Sequence, residues 1–211
     1  MSWKAPVQTK FERELLEAGT YVARCYSIVD LGTTEVSYMG GDPKPRHEMR
    51  FVFEIPEVKR EFKTKEGKEV KTVASISQNY TFSLNEKANL RKNLESWQGA
   101  KFTDEEAAEF DIESVLGKSC MLAIIHKEGK EGAYAVIGGI SKMMKGLDDG
   151  LIVHEQSIFR LDDFSQEKFD KLPERVRERI QRSDEWKVIT GTGTKEEAVM
   201  DEDGVPPDTA F

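Results

Sequence analysis

Residues 83–99, SLNEKANLRKNLESWQG, predict a helix with a marked beginning and end. Ser83 and Glu86 form an S-x-x-E capping box, in which the two side chains bind backbone amides of the first turn. Gly99 is suited to end the helix, because glycine adopts the left-handed conformation at low cost. Apolar residues recur at helical spacing along one side: Leu90, Leu94 and Trp97. This helix separates two groups of predicted β-strands, and the order of those groups decides the fold.

Three strands are predicted before the helix, over residues 20–32, 46–56 and 72–82, because apolar and polar residues alternate there. The side chains predicted to face inward are Tyr21, Ala23, Cys25, Val29, Leu31, Met49, Phe51, Phe53, Ile55, Ala74, Ile76, Tyr80 and Phe82. Those predicted to face outward are Arg24, Tyr26, Arg46, Glu48, Arg50, Ser75, Ser77 and Asn79. The Lys-rich stretch between the second and third strands is predicted to be an exposed connection.

After the helix, Thr103 and Glu106 repeat the capping-box signal for a short second helix. Residues 119–127 and 133–141 then predict two more strands joined by the turn EGKEG. Three strands, a helix and two strands are the connectivity of the OB-fold, a five-stranded Greek-key barrel that binds oligonucleotides or oligosaccharides. We therefore predict a mainly β protein with an OB-fold barrel, a helical insert and a helical appendage.

Four regions are predicted along the 211 residues. Their bounds are an N-terminal arm over 1–17, the barrel over 18–146, the appendage over 147–190 and a disordered acidic tail over 191–211. Spaced apolar residues among alternating charges predict two or three short helices in the appendage: Phe164, Phe169, Leu172, Val176, Ile180 and Trp186. The tail has too few apolar residues to contribute to a core.

The charge is placed unevenly along the chain. Residues 196–211 hold six acids and no Lys or Arg, and removing these six from the formal net charge of −8 leaves −2 for the other 195 residues. Residues 44–71 hold nine Lys or Arg against six Asp or Glu. A basic segment and an acidic end predict a polyanion site with an internal competitor. The alternative is a solvated loop and a tail that share no role.

Several function classes find no support in the sequence. No apolar run approaches the 18 residues of a membrane span, and the first residues lack a secretory signal, so a cytoplasmic protein is expected. Cys25 and Cys120 are predicted to be reduced and buried. The histidines His47, His126 and His154 lie far apart, and no glycine-rich stretch has the pattern of a phosphate loop. We therefore predict no enzyme activity, metal or cofactor.

The barrel region resembles a family of phage- and prophage-encoded OB-fold proteins that bind single-stranded DNA. The resemblance covers roughly residues 18–146 and rests on the segments GTYVARCYSIVDLGT, RFVFEIP, YTFSLNEKANLRKNLESWQGAKFT, FDIESVLGKSCMLAIIH and ISKMMKG. It implies a non-enzymatic protein that coats single strands without strong sequence preference during phage DNA replication or recombination.

The end of the chain, MDEDGVPPDTAF, separately resembles the acidic, proline-containing, Phe-terminated tail of bacterial single-stranded-DNA-binding proteins. That resemblance implies recruitment of replication or recombination proteins, with the aromatic ring in an apolar pocket and the acids at its basic rim. The tail residues implied in partner binding are Asp201, Glu202, Asp203, Asp208 and Phe211.

Cations that follow the phosphates and flat side chains that stack on bases hold a single strand. The residues predicted to form such a surface are Arg24, Tyr26, Tyr38, Lys44, Arg46, Arg50, Lys59, Arg60, Phe62, Lys63, Lys142 and Lys145. The alternatives are that the exposed arginines serve only solubility and that Tyr26 covers the edge of the barrel.

Two other functions stay open at this point. A strand-annealing or recombination-mediator protein would need activity in pairing complementary strands and often forms larger rings. An acidic protein that mimics DNA would explain the net charge, although the basic segment 44–71 argues against it. The oligomeric state is also open, with a homodimer among the alternatives.

Overall fold

The computed structural model describes residues 15–37, 41–63, 69–130, 132–150 and 152–192, with the side chains of Phe62 and Lys63 excepted. Tyr38 and the five tail residues predicted to bind partners lie outside these residues.

Five long antiparallel strands form the body of the molecule. They are β1 (Gly19–Val36), β2 (Lys44–Lys63), β3 (Glu69–Thr81), β4 (Ser119–Gly129) and β5 (Gly132–Ser141). Their order in the sheet is β3-β2-β1-β4-β5, and the sheet curls so that β3 and β5 approach each other. The mainly β class, the five strands and the position of the helical insert are confirmed. The resulting half-barrel is compatible with an OB-fold.

The main core fills the inside of the curled sheet, where inward-facing apolar side chains from all five strands meet. Phe51, Phe53 and Leu122 are among its fully buried members. The insert contributes helix α1 (Asn89–Gln98), which buries Leu90, Leu94 and Trp97 as predicted. The indole Nε1 of Trp97 donates to the backbone oxygen of Ser119 at 2.9 Å and so ties the helix to the beginning of β4.

The two predicted capping boxes have different outcomes. Helix α1 begins six residues after Ser83, with Ala88 as its N-cap and no side-chain capping bond, so the first box is wrong. The Ser83 hydroxyl instead accepts from the Asn85 amide within a turn, at 3.3 Å. The Thr103–Glu106 box is confirmed at helix α2 (Asp104–Ala108). A 3₁₀ turn (Ile112–Val115) then leads into β4.

A β-bulge between Cys25 and Ser27 divides β1 into two parts. Before it, Ala23 and Cys25 face the main core as predicted. A bulge adds one residue and reverses the alternation, so Ile28 faces the main core afterwards. Val29 and Leu31 therefore face the opposite side, and the prediction of one continuous inward face for β1 is wrong.

Val29 and Leu31 form a second core with the appendage. This region contains the short strand β6 (Ser157–Phe159), which pairs in parallel with β1, and helices α3 (Gln166–Lys171), α4 (Glu174–Ile180) and α5 (Asp184–Ile189). Its apolar members are Phe159, Leu161, Phe164, Phe169, Leu172, Val176, Ile180 and Trp186. The predicted helices are confirmed, and β6 is an element that the sequence pattern did not reveal.

The predicted connection between the second and third strands is largely strand. Beyond a register shift between Ile55 and Lys59, β2 and β3 continue to pair from Lys59↔Val73 to Lys63↔Glu69. The two strands thus extend as a two-stranded arm. The alternation of apolar and polar residues did not predict this arm, because charged residues occupy most of the arm's positions.

Two further predictions concern single residues. The spacing predicts that Phe82 faces the core, but half of its surface is exposed, because it lies just past the end of β3. That prediction is wrong. Cys25 and Cys120 are free and buried as predicted, and burial raises the pKa of the Cys25 thiol to about 12. Among the described helices, none has the length and apolarity to cross a membrane.

Candidate nucleic-acid interface

The outward side of β1, β2 and β3 carries an aromatic ring and a cation among small polar residues. We call this surface, formed by Tyr26, Arg50, Ser75, Ser77 and Asn79, the binding face. The ladder between β2 and β3 places Arg50 opposite Asn79 and sets Ser77 and Ser75 two and four residues further along. Ser75, Ser77 and Asn79 are small, so β3 itself places no bulky side chain over the ring or the guanidinium, and both remain half-exposed.

Tyr26 is held in place by contacts on two sides. Its ring stacks on His154, with ring centroids 4.5 Å apart and an interplanar angle of 18°. Its hydroxyl lies 3.5 Å from the Ser75 hydroxyl. Burial raises the pKa of Tyr26, so the phenol is neutral near pH 7. The stacked pair is thus an oriented aromatic platform.

His154 is positioned by polar contacts of its own. Its Nδ1 lies 2.8 Å from a carboxylate oxygen of Glu54, and its Nε2 lies 3.2 Å from the Thr72 hydroxyl. Sequence reasoning did not select His154, since it lies in an irregular segment 128 positions after Tyr26. Only the folded chain brings the two rings together.

Arg50 supplies the cation of the binding face. Its Nη2 donates to the Ser77 hydroxyl at 2.5 Å, which directs the guanidinium across the sheet toward β3. Burial, followed by the nearby charge of Arg179, lowers the pKa of Arg50, yet an arginine remains protonated near pH 7. Arg50 and Tyr26 are close enough to interact electrostatically.

A second cation reaches this region from the appendage. Arg179 of α4 forms an ion pair with Glu48, which lies two residues before Arg50 on the same side of β2. This pairing occupies the Glu48 carboxylate with the charge of Arg179, so Glu48 is not the partner of Arg50. The run PERVRERIQR, residues 173–182, was a signal for basic character, but only the docking of α4 places it beside β2.

The prediction that Arg24 is an exposed cation is wrong. Only 3% of its surface is accessible, and its guanidinium binds the fully buried Glu54 at 3.2 Å and Asp149 at 3.0 Å. It also donates to the backbone oxygens of Asp149 and Gly150. Arg24 does point to the outer side of β1, but the connection between β5 and β6 covers it there.

The other predicted cations are spread over three places. Lys44 and Arg46 lie at the beginning of β2, exposed and half-buried. Lys59 and Arg60 lie on the β2–β3 arm, where the Lys59 amine donates to the backbone oxygen of Pro56 at 3.0 Å. Phe62 and Lys63 belong to the same arm by their backbone pairing.

Lys142 and Lys145 are exposed in the connection that follows β5. The Lys142 amide donates to the backbone oxygen of Ser96, so this residue sits beside the end of α1. The structure therefore joins Tyr26 and Arg50 on one face, and it places Lys142 by the helical insert.

Within the described ranges, no cluster of three or more His, Cys, Asp or Glu side chains has the arrangement to hold a metal ion. Compared with known proteins, the chain matches no family model and shows no significant similarity to a curated protein.

Proposed function

We propose that the protein binds single-stranded DNA on the binding face. The observation that carries the proposal is the Tyr26–His154 stack beside the Arg50 guanidinium, on an outward surface of a curled β-sheet. A base can stack on an oriented aromatic pair while its phosphate contacts the neighbouring cation. The outward face of strands 2 and 3 is also the surface that OB-folds use for oligonucleotides.

The geometry favours single strands over duplex. A stacking platform requires unpaired bases, and these are accessible only in a single strand. Stacking is sequence-tolerant because every base has a π-face, so no strong sequence preference is expected. The β2–β3 arm adds two cations, Lys59 and Arg60, further along β2 from Arg50. The proposed role is in phage DNA replication or recombination, with the acidic tail recruiting partner proteins.

The test is a titration of fluorescently labelled single-stranded and duplex oligonucleotides of equal length at two salt concentrations. We expect binding to single strands well above duplex, with affinity that falls as salt rises, because phosphate neutralisation releases counterions. Equal affinity for duplex, or no binding to either, would contradict the proposal. Adding the complementary strand distinguishes binding from annealing, because a strand-annealing protein accelerates duplex formation.

A further inference from the structure

A second concave surface lies on the inner side of the sheet, away from the binding face. It is a groove of about 650 Å³ at the mouth of the half-barrel. Its walls come from the inner side of β1 and β2, from the α2 region and from the appendage. Residues of β2 that line it, His47 and Met49, alternate with Glu48 and Arg50, which face outward. The volume is typical of ligand pockets, which measure roughly 300–1,000 Å³.

The groove exposes apolar surface to solvent. Phe82 is 50% exposed at one side and Ile189 of α5 is 37% exposed at another. The Phe82 ring lies against the His47 imidazole, with centroids 5.2 Å apart. Between them the lining is largely apolar: Leu84, Phe110, Ile112, Ile158 and Val188. Covering such a surface with an apolar side chain removes it from water and lowers the free energy.

The polar part of the lining is acidic. It contains five carboxylates: Asp30, Asp111, Glu113, Asp162 and Glu185. Among the described residues of the lining, the basic groups are Arg160, which binds Glu113 and Asp162, and His47, which binds Asp30. The negative charge therefore exceeds the positive charge, and the groove is complementary to an apolar segment that carries cations.

Two end segments of this chain lie outside the described ranges, and their charges differ. Residues 193–211 contain six acids and one lysine, so the groove repels them. Residues 1–14, MSWKAPVQTKFERE, contain three cations and two acids, and both acids follow Phe11, so the stretch from Trp3 to Phe11 carries two lysines and no acid. Their large apolar residues recur at every fourth position: Trp3, Val7 and Phe11. Charge and apolar content thus select the N-terminal segment.

Chain length favours a groove on another molecule. Phe11 is four residues from Leu15, which allows a reach of about 13 Å. The groove opens on β1 at Ile28, whereas β1 begins at Gly19, and nine strand residues extend about 30 Å along the strand. The apolar positions from Trp3 to Phe11 therefore cannot all enter the groove of their own molecule.

We propose that the groove receives residues 1–14 of a second copy of this chain, with Trp3, Val7 and Phe11 on its apolar lining and Lys4 and Lys10 near its carboxylates. Reciprocal exchange gives a closed two-fold dimer in which both grooves are filled. The proposal is independent of DNA binding, since the groove and the binding face lie on opposite sides of β2.

The first test is photo-cross-linking of the full chain with p-benzoylphenylalanine in place of Phe82. Equal amounts of ¹⁵N-labelled and unlabelled protein are mixed, irradiated and digested, and the linked peptides are identified by mass. We expect residue 82 to link to peptides from residues 1–14, with one labelled and one unlabelled partner. Links only within one molecule, links to residues 193–211, or no links at all would overturn the proposal.

The second test measures self-association by sedimentation over a range of concentrations. Ile189→Arg places a cation on the apolar lining, and the double variant Trp3→Ala/Phe11→Ala removes two inserted rings outside the described core. We expect each to weaken the dimer by at least about tenfold. The matched control is Ile152→Arg, at a position 64% exposed outside the groove, which should dimerise like the parent.

Melting curves establish that Ile189→Arg is folded, and the Trp3→Ala/Phe11→Ala variant tests the same contact without altering the groove. A parent chain that stays monomeric at every concentration contradicts the proposal. So does a dimer that survives loss of Trp3 and Phe11. Single-strand affinity, measured on Trp3→Ala/Phe11→Ala because that variant leaves the charge unchanged, should remain near that of the parent and reports on the other face separately.

Discussion

Tyr26 and Arg50 differ in what each would contribute to holding a single strand. Replacing Arg50 with Ala should weaken binding and lower the dependence of log affinity on log salt by about one, because one phosphate contact is lost. Replacing Tyr26 with Ala should cost about 1–3 kcal/mol with the salt dependence nearly unchanged, because stacking displaces few ions. Both effects are measured by the same fluorescence titration at several salt concentrations.

Two exposed residues on the other strands are matched controls for these changes. Lys127→Ala on β4 removes a cation, and Tyr134→Ala on β5 removes an aromatic ring that is 47% exposed. Neither should alter single-strand affinity beyond a small general charge effect. If the controls weaken binding as much as the Arg50 and Tyr26 variants do, the binding face is elsewhere.

Arg24 acts in stability, where the sequence pattern suggested DNA binding. Replacing it with Ala leaves the carboxylate of Glu54, which is fully buried, without its cation. Removing one partner of a buried ion pair typically costs about 3–5 kcal/mol of unfolding free energy. Urea unfolding of Arg24→Ala against the exposed control Lys44→Ala measures the difference, and equal stabilities would contradict the structural role.

At the scale of elements, the contact between α5 and β1 depends on a glycine. Gly32 has a φ of 72°, and a Cβ there would lie 2.5 Å from side-chain atoms of both Ser183 and Glu185. Glu185 accepts from the Thr33 amide at 2.6 Å and from its hydroxyl at 2.7 Å, so it closes this junction. The appendage thus rests directly on the strand, with no space for a side chain.

Gly32→Ala should therefore destabilise the docking of α5. The variant bears the left-handed backbone strain of about 1–2 kcal/mol and in addition an overpacking cost of about 1–3 kcal/mol. Gly146→Ala is the control, because its φ of 84° imposes the strain while no atom lies within 4 Å of the added Cβ. Thermal unfolding should rank the parent first, Gly146→Ala second and Gly32→Ala last.

The contacts of His47 at the same junction make the stability of the fold depend on pH. Burial alone would lower its pKa, but the hydrogen bond and charge of Asp30 and the charge of Glu185 outweigh burial and raise the pKa above its ordinary value. A histidine whose pKa is higher in the folded than in the unfolded state stabilises the fold when it is protonated. This stabilisation is complete below the unfolded-state pKa of about 6.5, and it is lost as pH rises through the folded-state pKa.

The parent should therefore lose stability as pH rises through that interval, and His47→Gln should lose less. Melting temperatures of both proteins at several pH values between about 5.5 and 8.5 measure this difference. Parallel curves would show that the His47 contacts with Asp30 and Glu185 contribute no pH dependence.

At the scale of the whole molecule, the acidic end should act on DNA affinity through charge. Removing residues 196–211 takes away six acids, so the truncated chain should bind single strands more tightly, with the largest gain at low salt where screening is weakest. Melting temperature should be unchanged. Truncation that weakens binding or lowers the melting temperature would show that the segment is structural.

Deleting Phe211 alone separates charge from partner recognition. The acids remain, so DNA affinity should stay near that of the parent, whereas recruitment of the tail's partner should be lost. Pull-down from host extract with and without the deletion measures recruitment, and an identical set of captured proteins would contradict the role of the ring.

Local patterns in the sequence were sufficient for the central parts of the five long strands, for most inward-facing residues and for the Thr103–Glu106 cap, but not for β6 or the β2–β3 arm. Period-2 alternation reflects which side of a strand is buried, and that information is local. The same reasoning selected Tyr26 and Arg50, because both are chemically suited to an outward face. It also predicted that Cys25 and Cys120 are buried, since each lies among apolar neighbours.

Only the tertiary structure decided which outward residues stay accessible. Arg24 and Arg50 have the same local appearance, yet Arg24 is covered by a segment about 125 positions later in the chain and Arg50 is joined by Arg179 from α4. The bulge in β1 likewise reversed the side that Val29 and Leu31 occupy. Alternation along a strand carries no information about what packs on its outer face, because that packing depends on residues distant in sequence.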